Sequence, residues 1–139
     1  MSARAIELPN LSLADASPFV AAAGLVVEDA GPDRVSGYID LGPEHHTPWG
    51  VVHGGVFATA VESAASIGAS AAVAARGQFA AGVHNATDFL RGATEGRARV
   101  VAEPLQQGKV QQLWQVVIMR EQDGKELARG TLRLQNIAR

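Results

Sequence analysis

The sequence predicts an α+β domain in which one long helix is wrapped by a curved antiparallel β-sheet. Three observations carry that reading. Residues 56–75 are mostly Ala, Val, Ser, Thr and Phe with one charge, Glu62, and lack the charged stripe of a surface helix. Beyond Gly77 the chain divides into four strand-like segments separated by Gly96, Gly108 and Asp123-Gly124. Its 139 residues, 47% hydrophobic and 19% charged, suffice for one core of ordinary composition.

Residues 1–16 read as an arm and residues 17–139 as a single domain. Ser17-Pro18 opens a short helix that stops at Gly24. Serine accepts from first-turn amides, proline suits the first helical position and glycine suits the exit. Residues 25–30 (LVVEDA) and 34–42 (RVSGYIDLG) read as strands about a turn at Gly31-Pro32-Asp33. Residues 43–52 (PEHHTPWGVV) read as loop, because Pro43 and Pro48 disfavour regular structure. Gly54-Gly55 then opens the long helix, which ends near Ala75 before Arg76-Gly77. Ala58, Ala60, Ala64, Ala65 and Gly68 let neighbouring elements approach it closely. Segments 79–90, 97–107, 110–121 and 126–137 read as strands. In the last, Arg129, Thr131, Arg133 and Gln135 alternate with Ala128, Gly130, Leu132 and Leu134, one set for water and one for the core. The turn spacing predicts a meander of hairpins.

A net charge of −2 and a pI near 6.0 argue against a nucleic-acid or anionic-membrane partner. The absence of cysteine excludes disulfides, thiolate metal sites and a cysteine nucleophile. No apolar run of signal-peptide length opens the sequence, so a cytoplasmic protein is expected. The long helix has spanning length, but Glu62 and missing interfacial anchors argue against a membrane span. His45, His46, His53 and His84 lack ligand-like spacing, and no metal or other cofactor is expected. No serine lies in a nucleophile elbow.

Glu62 is the residue that needs explaining. An ionised carboxylate without partners is costly in an apolar setting, so it calls for an ion pair, a water-filled pocket or a chemical role. Gly54-Gly55 at the helix start leaves first-turn N–H groups open to a ligand atom, and the helix dipole favours negative charge there. Such a terminus can hold a developing oxyanion. Ser66 lies one turn beyond Glu62 on the same face, placed to hold the carboxylate or a water, or simply to pack at a close seam. Gly55 and Glu62 are about 10 Å apart along the axis. One carbonyl cannot reach both, so a shared site requires two chains with antiparallel helices.

Trp49-Gly50-Val51-Val52-His53-Gly54-Gly55, with Glu62 eight residues after Gly54, resembles the helix entry of hotdog-fold acyl-CoA thioesterases. The resemblance is to the phenylacetate-degradation (PaaI-like) branch, including the Arthrobacter-type 4-hydroxybenzoyl-CoA thioesterases. Asn85-Ala86-Thr87-Asp88-Phe89-Leu90-Arg91, followed by Gly96, is similar to that family's next strand. The resemblance implies a helix wrapped by antiparallel sheet, dimers assembled into tetramers, and an acyl- or aryl-CoA substrate. It implies Glu62 as nucleophile or general base and the partner chain's Gly55 N–H as the group polarising the thioester carbonyl. It further implies Ser66 helping to place water or carboxylate and His53 organising the loop. Gly54, Trp49, Phe57, Asn85 and Arg91 are the substrate-binding candidates, Arg91 through the CoA phosphates. Two positions depart from the family pattern. Thr47 stands where Asn or Gln is usual, which puts thioester positioning in question, and Gly92 stands where Pro commonly follows the arginine. A non-catalytic acyl-CoA-binding protein and a hotdog β-hydroxyacyl dehydratase stay open as alternatives.

Overall fold

The computed structural model describes residues 12–139. The N-terminal arm lies largely outside the described residues; its last part forms a 3-10 turn, Leu13–Asp15, which the sequence reading did not anticipate. Helix α1 (Pro18–Ala23) begins as expected, with Ser17 Oγ accepting from the Val20 N–H, and exits through Gly24 at φ 81°. Strands β1 (Val26–Ala30) and β2 (Val35–Leu41) form a hairpin. A 3-10 turn, Pro43–His45, lies in the segment expected to be plain loop. Helix α2 (Gly54–Val73) continues as a 3-10 turn, Ala74–Arg76, and closes on Gly77 at φ 69°. Strands β3 (Gln78–Phe89), β4 (Gly96–Gln107), β5 (Gln111–Arg120) and β6 (Glu126–Ala138) follow.

The six strands make one antiparallel sheet in the order β1-β2-β4-β5-β6-β3. Only β4, β5 and β6 form the expected meander. The β3-β4 hairpin is replaced by a crossover: β3 pairs with β6 at the sheet edge and β4 lies beside β2. The six residues between them, 90–95, span about 20 Å when extended, enough for the three strand spacings, about 14 Å, that separate β3 from β4. Turn spacing alone does not distinguish a hairpin from a crossover of this length.

This arrangement is the hotdog fold, one long helix against a six-stranded antiparallel sheet. Phe57, Ala60, Val61, Ala64, Ala65, Gly68, Ala69 and Val73 of α2 face the sheet and are buried. They meet Trp114, Val116 and Ile118 of β5 and Leu132 and Leu134 of β6 in one core. By length and composition α2 could cross a bilayer, but it lies against the sheet as the core helix.

The expected enclosure of α2 is corrected in one respect. Glu62 is exposed, and a stripe from Gly55 through Thr59, Glu62 and Ser63 to Ser66 is not covered by the sheet. Both faces of the helix are built from Ala, Ser and other small residues, so apolarity does not tell the bare face from the buried one.

Candidate active site

The site grows from the start of α2. His53 is the N-cap, and its Nδ1 accepts the Gly55 N–H at 2.8 Å. The His53 carbonyl accepts the Val56 N–H at 3.0 Å. Gly55, the expected oxyanion donor, is therefore engaged within its own chain. The neighbouring Gly54 N–H has no partner among the described residues. The first turn thus presents Gly54 as its open donor.

The preceding loop is tied down by its histidines. His53 N–H donates to the His45 carbonyl at 2.8 Å, and Val52 N–H donates to the Ala93 carbonyl at 2.8 Å. His46 Nε2 lies 2.6 Å from the Thr94 carbonyl, and that acceptor requires a proton on Nε2. Buried His45 faces the Ala22 carbonyl with Nε2 at 3.0 Å and accepts the Gly42 N–H on Nδ1 at 3.3 Å. That pattern assigns His45 the neutral Nε2–H form.

Glu62 projects from the bare stripe. Its carboxylate makes no hydrogen bond or ion pair among the described residues. It lies over Gly82 of β3, where a built Cβ would stand 3.7 Å from the carboxyl carbon. A cavity of about 360 Å³ opens beside it, lined by Phe19, Val20, Gly55, Ala58, Thr59, Ser63 and Asn85 as well. The intrachain ion pair that would have given Glu62 a structural role is thus missing.

The remaining candidates are distributed unevenly. Ser66 is one turn beyond Glu62 but makes no hydrogen bond to it. Asn85 lines the cavity with both ends of its amide occupied: it donates to the Ala58 carbonyl at 2.9 Å and accepts from Thr87 Oγ at 2.7 Å. It therefore anchors α2 to β3. Thr47 is absorbed in a turn, its hydroxyl oxygen accepting the Trp49 N–H at 3.2 Å. Trp49 is 85% exposed and stands out from the surface. Phe57, expected at the acyl pocket, is instead a core residue, 3% exposed, because its position on α2 faces the sheet. Arg91 lies past the end of β3 and outside this cavity, donating to the Glu126 carbonyl at 3.1 Å.

The sequence reading missed Phe19, Thr59 and Ser63. Thr59 and Ser63 follow from helical spacing, at i+4 and i+8 from Gly55. Phe19 carries no such signal, since α1 reaches the site only through the tertiary fold.

The groups with shifted titration lie away from the groove. The Arg97 guanidinium hydrogen-bonds Asp40 and holds its carboxyl below the usual range, and Arg129 does the same for Glu126. Asp123 is lowered by the Lys125 backbone N–H and then by Arg120. A larger cleft of about 650 Å³ beside the Gly92–Arg97 loop includes Arg97 and Arg120, but both guanidiniums already face carboxylates.

The fold agrees with known proteins. Residues 50–127 match the thioesterase superfamily, and the chain belongs to that family of thioester hydrolases. The Mycobacterium tuberculosis protein Rv1847, which carries an esterase designation, is 41% identical over 122 residues, 86% of either chain. Its solved structure covers 88% of this chain and 98% of its own at a TM-score of 0.84. The crystal structure of S. sahachiroi AziG is 36% identical and superposes with a TM-score of 0.82 over 88% of this chain and 98% of that one. The proofreading thioesterase EntH of Cronobacter sakazakii is 29% identical over 119 residues, 86% of either chain.

Proposed function

We propose that the protein hydrolyses an acyl- or aryl-CoA thioester to the free acid and CoA, with Glu62 as its essential carboxylate. The observation that carries this reading is the unpaired Glu62 carboxylate, facing a cavity on the same helix stripe as an open N-terminal turn. Two routes fit. As a nucleophile, a Glu62 oxygen bonds to the carbonyl carbon, the C–S bond breaks and CoA leaves as thiolate; water then splits the anhydride and restores the carboxylate. As a general base, Glu62 takes a proton from water while the water oxygen attacks, and that proton goes to the departing thiolate.

The oxyanion donor comes from a second chain, because Glu62 and the first helical residues are about 10 to 12 Å apart along one axis. We assign that role to the partner's first turn. Gly54 N–H is the ready donor, and the Gly55 N–H that the sequence points to joins it only if His53 turns away. The edge strand β3 supports this dimer. It runs twelve residues without proline, has an unpaired side, and exposes Phe79, Val83 and Phe89. A long apolar edge of this kind is a template for pairing with another chain. Two β3 strands paired antiparallel would set two α2 helices side by side in opposite directions. Half-buried Val101, Val117 and Met119 on the outer sheet face provide a second surface for the tetramer. The PaaI-like branch, the single domain from residue 17 and a cytoplasmic setting belong to the same proposal.

The test is free-thiol release from a panel of aryl- and fatty acyl-CoAs by wild type, Glu62→Ala and Glu62→Gln. Turnover by wild type with a loss on the order of 10³-fold in both variants supports the reading. Binding of CoA esters without thiol release moves a non-catalytic acyl-CoA-binding role, or the dehydratase, to the front. Equal rates in all three proteins would place the chemistry elsewhere.

A further inference from the structure

Two cavities flank the bare stripe of α2, and they share three residues: Phe19, Gly55 and Thr59. The first, about 360 Å³, holds Glu62, Ser63 and Asn85. The second, about 350 Å³, runs toward the helix N-terminus between Ala22, Ala23, His46, His53 and Val56. Gly55 and Thr59 form part of the floor of both, one helical turn apart on the same face. Phe19 is the side chain of α1 common to both, and it is 70% exposed, so no core contact explains its size.

The segment carrying Phe19 is firmly placed. Ser17 caps α1, Gly24 turns it out, and the buried His45 ring donates from Nε2 to the Ala22 carbonyl at 3.0 Å. A Cβ at Gly24 would sit 3.3 Å from that same ring nitrogen, so α1 and the histidine are closely packed. The Phe19 backbone is therefore held in place, and its ring contributes to the wall of both cavities.

We infer that the two cavities are one acyl-binding trough divided by Phe19, and that Phe19 sets the size of acyl group accepted beside Glu62. The inference rests on the thioesterase reading for the occupant, the acyl group of the substrate. The compartment at Glu62, about 360 Å³, accommodates an aryl ring or a short to medium acyl chain. Phe19 closes the way to the second compartment, whose walls from Ala22, Ala23 and Val56 are apolar and suited to further methylenes. Removing the ring joins the compartments, and each methylene then buried raises discrimination severalfold.

The experiment compares wild type, Phe19→Ala and Phe19→Trp on acetyl-, hexanoyl-, decanoyl- and benzoyl-CoA. The quantity read is the ratio of kcat/KM for decanoyl- to acetyl-CoA. Phe19→Ala is expected to raise that ratio by about 10- to 100-fold, and Phe19→Trp to lower it. A ratio unchanged within about twofold in both variants, on substrates that wild type turns over, overturns the inference and leaves the thioesterase reading standing. Binding of the matching S-alkyl-CoA thioethers is measured by calorimetry in parallel, because it does not require turnover. If wild type hydrolyses nothing, the catalytic reading falls, while a chain-length preference in thioether binding that shifts in Phe19→Ala still supports the partition. Thioether affinities that do not shift, or no binding at all, overturn it.

Discussion

Gln112 joins the long helix to the sheet from inside the core. Its amide N–H groups donate to the Ala69 carbonyl and to Asn136 Oδ1, each at 2.9 Å, and its oxygen accepts from Trp114 Nε1 at 2.9 Å. Asn136 passes the network on to the carbonyls of Gly108 and Lys109 at 3.2 and 3.1 Å. A buried polar group is tolerable here because its partners are present, and removing one side strands the others. Gln112→Leu keeps the approximate volume but leaves the Trp114 N–H and the Asn136 oxygen unpaired. We expect a loss of about 1–3 kcal/mol in chemical denaturation. An unchanged midpoint and slope would mean that these bonds add nothing net. Strand parity in the sequence sets Gln112 inward with Trp114, Val116 and Ile118, but not its partner Asn136, 24 residues away. Glu62 was legible for the opposite reason, as the single charge in a charge-poor run. Its chemical isolation was visible in the sequence, whereas its exposure was not.

At the level of elements, α2 approaches β5 closely only because position 68 lacks a side chain. A Cβ on Gly68 would lie 2.4 Å from Cη2 and 2.6 Å from Cζ3 of Trp114, whose side chain is wholly buried. The indole has no solvent to move into, and its N–H is held by Gln112. Gly68→Ala gains helix propensity, about 1 kcal/mol, but the overpacking it forces costs about 1–3 kcal/mol. A net fall in thermal stability is therefore expected; a rise would show that the tryptophan relaxes without penalty. The helices and strands themselves were readable from caps, apolar runs and alternation, all of which are local. The order β1-β2-β4-β5-β6-β3 was not, because strand pairing is decided by tertiary fit and the 90–95 connection suits either topology. For the same reason the sequence points Phe57 at the substrate when it is a core residue: identity indicates an aromatic, but helix phase decides what it touches.

At the level of the whole molecule, if Glu62 and the first turn of α2 serve one site as proposed, one chain cannot bring them together. Glu62 and the Gly54 N–H lie on one rigid helix, about 12 Å apart by its rise. The proposed dimer therefore makes a prediction about pairs of chains. Gly54→Pro removes the open N–H while respecting the backbone: position N1 of a helix accepts proline, and His53 at φ −65° and ψ 133° has the extended geometry that precedes one. A Cβ at position 54 would meet the Phe89 ring at 2.6 Å, but that ring is exposed and can swing away. Gly54→Pro alone should lower kcat by about 10²- to 10³-fold, the usual cost of one oxyanion donor. Glu62→Ala should be at least as severe. If the two chains are expressed together with different tags and the mixed dimer is isolated, the Gly54→Pro chain supplies an intact Glu62 and the Glu62→Ala chain an intact Gly54. One of its two sites is then whole, so thiol release should recover to about half the wild-type rate per dimer. A mixed dimer no more active than its parents would mean that each chain completes its own site. The carbonyl would then have to be held by groups near Glu62 itself, and the helix N-terminus would keep only its structural role.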